Sequence, residues 1–183
     1  RFALPAESEL MLALDQSVNR FVVREMGPVI NEYRQRLAED RDPAVLNEYG
    51  VALANAGMLD DAWEVFAEAA DGGYEWAWNN LAGIAFIRKD YELAESFYEW
   101  SRYLMPEDPV AILGLARSSY EMDRYLTSEK LYDTLLSEAP VLAERFGYLR
   151  SVYGGEGRAW SMADRLSSIV WSEPGLDFSR AQR

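Results

Sequence analysis

The sequence predicts an all-α protein made of stacked antiparallel helix pairs, and three observations support this fold class. Pro106, Pro140 and Pro174 are spaced 34 residues apart, and a period of roughly 20–50 residues is typical of helical repeat arrays. Upstream of these prolines, small and large apolar residues recur at helical offsets. A short polar turn divides each unit into two such stretches, so each unit is predicted to be a helical hairpin.

The second helix of each unit is predicted from three aligned columns of small and apolar residues. Offsets of four and seven residues between the columns place them on one face of a helix. Small residues in the first column would let a neighbouring helix approach closely. The columns are Ala62, Ala94, Ser128 and Met162; Phe66, Tyr98, Tyr132 and Leu166; and Ala69, Ser101, Leu135 and Ile169.

The first helix of each unit shows a matching set of columns and is predicted to pack on the second helix. These columns are Leu46, Trp78, Ile112 and Phe146; Tyr49, Leu81, Leu115 and Leu149; and Gly50, Ala82, Ala116 and Arg150. The turn between the helices is marked by Gly57, Lys89, Asp123 and Gly157, followed by Leu59, Tyr91, Tyr125 and Ala159. A turn residue followed by an apolar anchor is the pattern expected of an αα-hairpin.

The columns resemble those of tetratricopeptide repeats (TPR). The match is best from Asp42 to Ala70 and from Trp76 to Pro106, whereas Asp71-Gly72-Gly73 is similar to the ending of the related Sel-like repeats. The resemblance implies a right-handed α-solenoid of about ten helices. Its predicted units are residues 43–74, 75–108 and 109–142, and a degenerate unit at 143–174 that has Arg150 and Met162 at small-residue columns.

The two ends of the chain lie outside the clear repeats. Residues 1–42 are predicted to form a helix pair, either a degenerate repeat that caps the array or a helix for dimerisation or partner docking. Only a short tail, residues 175–183, follows Pro174. We therefore expect Ile169, Val170 and Trp171 to be partly exposed and to be covered by a C-terminal continuation or by self-association through this end.

Composition excludes several functional classes. The chain has no His and no Cys, so imidazole bases, thiolate nucleophiles and zinc sites are not expected, and neither a cofactor nor a metal is predicted. A net charge of −13 disfavours nucleic acids and anionic membranes as partners. No apolar run reaches the roughly 18–20 residues needed to span a membrane. The compartment stays open, because the cytoplasm and the periplasm both suit a cysteine-free chain.

Remaining chemical signals are weak. Gly154-Gly155-Glu156-Gly157 has neither the Lys-Ser/Thr nor the preceding strand of a phosphate-binding loop, and it is predicted to be the hairpin turn of the fourth unit. The adjacent acids Asp60-Asp61 and Glu107-Asp108 fall at predicted helix starts, where they complement the helix dipole. An enzyme is therefore not expected, although two buried carboxylates with raised pKa in one pocket would reopen that alternative.

The concave face of such an array is lined by the first helices and is the expected partner-binding surface. Asparagine is a poor helix former, so several on one face suggest a compensating interaction, such as pairing with the backbone of an extended peptide. Aromatic residues there could anchor a partner. The candidate groove residues are Asn47, Val51, Asn55, Trp76, Asn79, Asn80, Gly83, Phe86, Ile87, Leu113, Arg117, Tyr120, Tyr148 and Ser151.

The predicted function is a non-enzymatic scaffold that binds a partner peptide or helix in this groove. TPR domains that grip acidic tails use a clamp of basic residues and amides. Asn80 matches one clamp amide, but the basic positions are occupied by Asn47, Val110 and Gly114. With Arg117 as the one cation placed in the groove, the expected partner is apolar or basic. The alternative is a structural subunit that assembles through its terminal helices, with a possible homo-oligomer.

Overall fold

A computed structural model of the chain describes residues 22–150 and 166–174. These residues contain eight α-helices and no strand, which confirms the predicted all-α solenoid class. A π-helical turn, Val22–Met26, precedes the first helix, and a 3₁₀ turn, Gly147–Arg150, follows the last. The helices are α1 (Gly27–Glu39), α2 (Pro43–Asn55), α3 (Leu59–Asp71), α4 (Trp76–Ile87), α5 (Tyr91–Leu104), α6 (Pro109–Glu121), α7 (Tyr125–Glu138) and α8 (Pro140–Glu144).

The start of several helices follows directly from the local sequence. Asp42, Asp90 and Asp108 precede α2, α5 and α6, and each side chain accepts a hydrogen bond from a backbone N–H in the first turn, at 2.9, 3.2 and 3.1 Å. Such caps satisfy donors that the helix itself leaves open. Proline follows the cap in α2 and α6, where its missing N–H costs nothing. Asp108 is therefore a helix cap, as its sequence position suggests.

The turns inside the helix pairs share one backbone conformation. Gly57, Lys89 and Asp123, three members of the predicted turn column, have φ values of 79°, 66° and 59°. This left-handed conformation lets the backbone reverse after a helix, and glycine adopts it without strain. The shared conformation explains why the column aligns although its residues differ chemically.

Each helix packs on the next one along the chain, so that α2–α3, α4–α5 and α6–α7 form antiparallel pairs. The first helices α2, α4 and α6 also contact one another, which places them side by side along one face. Two glycines allow neighbouring helices to approach closely. A Cβ on Gly50 of α2 would lie 2.5 Å from the Phe66 ring of α3, and a Cβ on Gly114 of α6 would lie 2.3 Å from the Tyr98 ring of α5. The pairs fall within the predicted units 43–74, 75–108 and 109–142.

The fourth predicted unit differs from the other three. Its first helix is replaced by the five-residue α8 and the 3₁₀ turn, and Arg150 is exposed, 3.8 Å from Asp133, instead of occupying a small-residue column. In the segment 166–174, only Leu166 and Ser167 are helical, so Ile169 is not on the helical face predicted for it. The large, charged Arg150 cannot fill a position that needs a small residue for close helix contact. Residues 1–21 of the predicted N-terminal helix pair and the loop at Gly154–Gly157 lie outside the described residues.

Candidate functional site

Helix α4 lies at the centre of the face formed by α2, α4 and α6. Every residue from Asn79 to Ile87 is buried, including Asn79 and Asn80, which are 1% and 0% exposed. A helix that is buried all round must be covered on every side. The side of α4 that points away from α3 and α5 is covered by the chain's own residues 168–173, which we call the strap.

The strap crosses the three first helices in order and is not helical from Ile169 onward. Ser168 contacts Arg117 on α6, Ile169 and Trp171 lie over Gly83 on α4, and Ser172 reaches Asn47 on α2. The surface of α2, α4 and α6 under the strap is called the groove below. The strap therefore occupies the face on which the sequence predicts partner binding.

Two asparagines of the groove bind the backbone of Ser172. Asn80 accepts a hydrogen bond from the Ser172 N–H (2.7 Å) through Oδ1 and donates one to the Ser172 carbonyl oxygen (3.1 Å) through Nδ2. Asn47 donates to the same carbonyl (3.0 Å), and its own Oδ1 accepts from Asn80 Nδ2 (2.8 Å). Both backbone polar groups of Ser172 are thus satisfied by side chains, as burial requires.

Asn79 binds the strap through a side chain rather than the backbone. Its Nδ2 donates to Ser172 Oγ (3.1 Å) and also to the Asp108 carboxylate. Burial raises the pKa of Asp108, while the hydrogen bonds from Val110 and Asn79 act to lower it. Since Asp108 caps α6, the contact connects the strap to the start of that helix.

Arg117 holds the other end of the strap. It donates to the Ser168 carbonyl oxygen (3.0 Å) and to Ser168 Oγ (2.6 Å). Its guanidinium lies 4.3 Å from the centroid of the Phe86 ring and 5.3 Å from that of Phe146. Arg117 is only 4% exposed, and cation–π contacts of this kind gain strength when they are removed from water.

Apolar residues of the strap pack into the groove between these polar contacts. Trp171 stacks on Phe66, with ring centroids 6.0 Å apart, and it also lies against Gly83. Ile169 packs on the cluster that contains Phe86, and Val170 on the cluster of α6, α7 and α8. A Cβ on Gly83 would lie 3.1 Å from Ile169 Cγ2, so the glycine provides the space that the strap fills.

One contact of the strap is unfavourable. Partial burial raises the pKa of Glu173, and the nearby carboxylate of Glu48 raises it further. Glu173 and Glu48 likewise raise the pKa of Tyr33 and Tyr74, although burial contributes more to both. Like charges in a partly buried site repel each other, so the groove does not favour an acidic residue at this position.

The other candidate groove residues have varied surroundings, and one of them, Tyr148, interacts with Arg117. Val51 and Leu113 are core residues, Ile87 is fully buried and Asn55 is exposed. Trp76 packs on Tyr74 and lines a surface pocket with Met105, Pro106 and Asp108. Tyr120 and Tyr148 pack on each other, with centroids 5.3 Å apart. Ser151 lies outside the described residues, and the assignment of a binding groove stays a prediction for the set as a whole.

Sequence reasoning missed two parts of the site. Phe66 was assigned only to the core, although its ring also supports Trp171. The strap itself was expected to continue a helix and to be covered from outside. The available signal was the apolar run Ile169-Val170-Trp171. These three residues are partly exposed, as expected, but their covered sides pack on the groove of their own chain.

Within residues 22–150 and 166–174, no His, Cys, Asp and Glu group has the arrangement of a metal site. The same residues contain no helix with the length and apolarity needed to cross a bilayer.

Comparisons with known proteins relate the chain to others by structure alone. No protein-family model matches the sequence, and no curated protein sequence does. A MamA structure described as "41-end", from Desulfovibrio magneticus RS-1, is 19% identical, with a TM-score of 0.59 over 80% of this chain and 85% of that one. A MamA RS-1 "ArsTM double mutant" is 17% identical, with a TM-score of 0.61 over 91% and 94%. These similarities support a TPR-type fold, while the Sel-like resemblance stays a prediction.

Proposed function

We propose that the protein is a non-enzymatic interaction scaffold that binds an extended peptide segment of a partner in the groove of α2, α4 and α6. The observation that carries this proposal is the pairing of Asn80 with both the N–H and the C=O of Ser172. A groove that pairs with the backbone of a non-helical segment has the chemistry needed to hold any peptide of suitable side chains.

The residues around this pairing suggest how such a ligand would be selected. Backbone pairing provides affinity that depends little on sequence, while Gly83 and Phe66 form a seat for a large apolar side chain. Buried aromatic anchors contribute most of the energy in many interfaces. Asp108, a carboxylate at the edge of the site, caps a helix and accepts a hydrogen bond from Asn79, so it helps to hold the amide that binds Ser172.

The proposal is tested by selecting peptides that bind the full chain from a random display library and measuring their affinities by fluorescence anisotropy. We expect Asn80→Ala, introduced into a Trp171→Ala chain whose strap is already weakened, to weaken the selected peptides by at least about tenfold, because about 1.4 kcal/mol corresponds to that factor and a lost buried pairing costs ~1–3 kcal/mol. The matched control is Asn55→Ala, an exposed asparagine near the end of α2, which should leave affinity unchanged.

Two further measurements distinguish a loss of binding from a loss of folding. Circular dichroism and thermal unfolding verify that each variant is folded. Peptides that bind the folded Trp171→Ala chain equally tightly with and without Asn80→Ala would show that binding occurs elsewhere, and the groove would lose its proposed role.

A further inference from the structure

The strap has features of a ligand and not only of a structural segment. Trp171 and Ser172 contact the groove through a backbone amide, a backbone carbonyl, a serine hydroxyl and a tryptophan ring. The helices beneath also have packing that does not involve the strap, since each contacts its partner helix and α4 contacts both α2 and α6. The strap thus covers one side of helices that also pack on each other.

The strap is also an imperfect ligand. Glu48 of α2 opposes the charge of Glu173, and residues 43–105, which include α2 and α4 of the groove, carry 11 acidic and 3 basic side chains. A neutral or basic side chain at this position would remove the repulsion or replace it with attraction. A peptide that shares the other contacts but not the carboxylate would therefore fit the groove better than the strap does.

From these two features we propose that residues 168–173 are an internal ligand, which occupies the groove until a partner peptide with the same apolar–Trp–Ser pattern, but with a neutral or basic residue in place of Glu173, displaces it. This inference rests on the proposed function, because displacement presupposes that the groove binds peptides. It adds the chemistry of the partner and the requirement that the partner compete with the protein's own chain.

Competition has a quantitative consequence. When only a fraction f of the molecules has an open groove, the apparent dissociation constant of an added peptide is the intrinsic one divided by f. Weakening the strap raises f and tightens the binding of the added peptide, although the groove residues are unchanged. If the strap had only a structural role, weakening it would not raise the affinity for an added peptide.

The test uses the full chain and a labelled synthetic peptide with the sequence of residues 166–174. We expect it to bind the Trp171→Ala chain about tenfold more tightly than the unchanged chain, because the weakened strap opens the groove. The same peptide carrying Glu173→Lys should bind the unchanged chain more tightly than the native-sequence peptide. A peptide carrying Trp171→Ala is the matched negative control and should bind neither chain measurably.

A second measurement needs no variant. Hydrogen exchange of the unchanged chain compares the Ser172 amide, bonded to Asn80, with the Ile84 amide in the middle of α4. If the strap opens while the helices stay folded, Ser172 exchanges at least about tenfold faster than Ile84, because local opening requires less free energy than global unfolding.

The outcomes separate this inference from the proposed function. Equal exchange of Ser172 and Ile84, together with equal peptide affinity for the unchanged and the Trp171→Ala chains, would make the strap a fixed part of the fold and overturn the inference alone. If the peptide instead binds equally to Trp171→Ala chains with and without Asn80→Ala, the groove is not its site, and the proposed function fails as well.

Discussion

At the scale of single residues, the asparagines show what helix propensity can and cannot predict. Asn79 and Asn80 in the middle of a helix have a propensity cost that needs compensation, and the structure places their amides against Ser172. Asn55 has the same composition signal but lies exposed near a helix end. Propensity alone does not separate these cases, because it carries no information on which face a neighbouring segment will cover.

The raised pKa of Glu173 predicts how the stability of the fold depends on pH. Burial and the neighbouring Glu48 raise its pKa above the ordinary value in the folded chain, so the folded state holds this proton to higher pH than the unfolded state does. Stability from this group is therefore present at low pH and is lost as the pH rises through the raised pKa. Glu173→Gln should make the chain more stable than the original at pH 7, by about 0.2–1 kcal/mol, the range for partly exposed charge pairs.

Urea unfolding of both chains between about pH 4 and 8 measures this difference. Burial also raises the pKa of Asp108, but that contribution is the same in both chains and cancels in the comparison. A stability difference that stays constant with pH would contradict the role assigned to the Glu173 charge.

At the scale of helices, two glycines on the first helices have different neighbours. Gly114 faces the core, whereas Gly83 faces the strap. Alanine in place of a glycine inside a helix gains ~0.8–1 kcal/mol of helix propensity. At Gly83 the added methyl meets only the strap, at 3.1 Å from Ile169 Cγ2, whereas at Gly114 it would lie 2.3 Å from the buried Tyr98 ring. The two substitutions are chemically identical but meet different neighbours.

We therefore predict opposite effects. Gly114→Ala should destabilise the fold by about 1–3 kcal/mol, the usual cost of overpacking a core. Gly83→Ala should leave the helices as stable or more stable, while the Ser172 amide exchanges faster because the strap is lifted. Thermal unfolding measures the first effect and hydrogen exchange the second. Equal destabilisation by both changes would mean that the strap packs as rigidly as the core.

The helix pairs also show which parts of the fold can be predicted from sequence periodicity. The three central pairs follow from columns that every unit repeats, because each pair buries the same apolar face against the next. The fourth unit keeps the spacing of its proline but not its small residues, and Arg150 is exposed beside Asp133. Spacing predicted a helix through Ile169, yet the tertiary contacts of Arg117 and Asn80 hold a non-helical strap there.

At the scale of the whole molecule, the net charge of −13 extends the preference for a neutral or basic ligand beyond the groove. An acidic surface attracts cationic peptides over about one Debye length, which is ~30 Å at 0.01 M salt and ~8 Å at 0.15 M. The Asn80 contact is short-range and buried and the Trp171 contact is apolar and partly buried, so salt does not screen them to the same extent. Charge and shape should thus contribute to binding in separable ways.

Two peptides of residues 166–174, one carrying Glu173→Lys and the other Glu173→Gln, measure the two contributions on the Trp171→Ala chain. At low salt the lysine peptide should bind about two- to fivefold more tightly, in keeping with the ~0.2–1 kcal/mol of a partly exposed charge pair. The advantage should disappear as NaCl rises toward about 0.5 M, while the glutamine peptide changes little. An advantage that persists at high salt would place the lysine in a buried contact, and no advantage at low salt would contradict the charge preference of the groove.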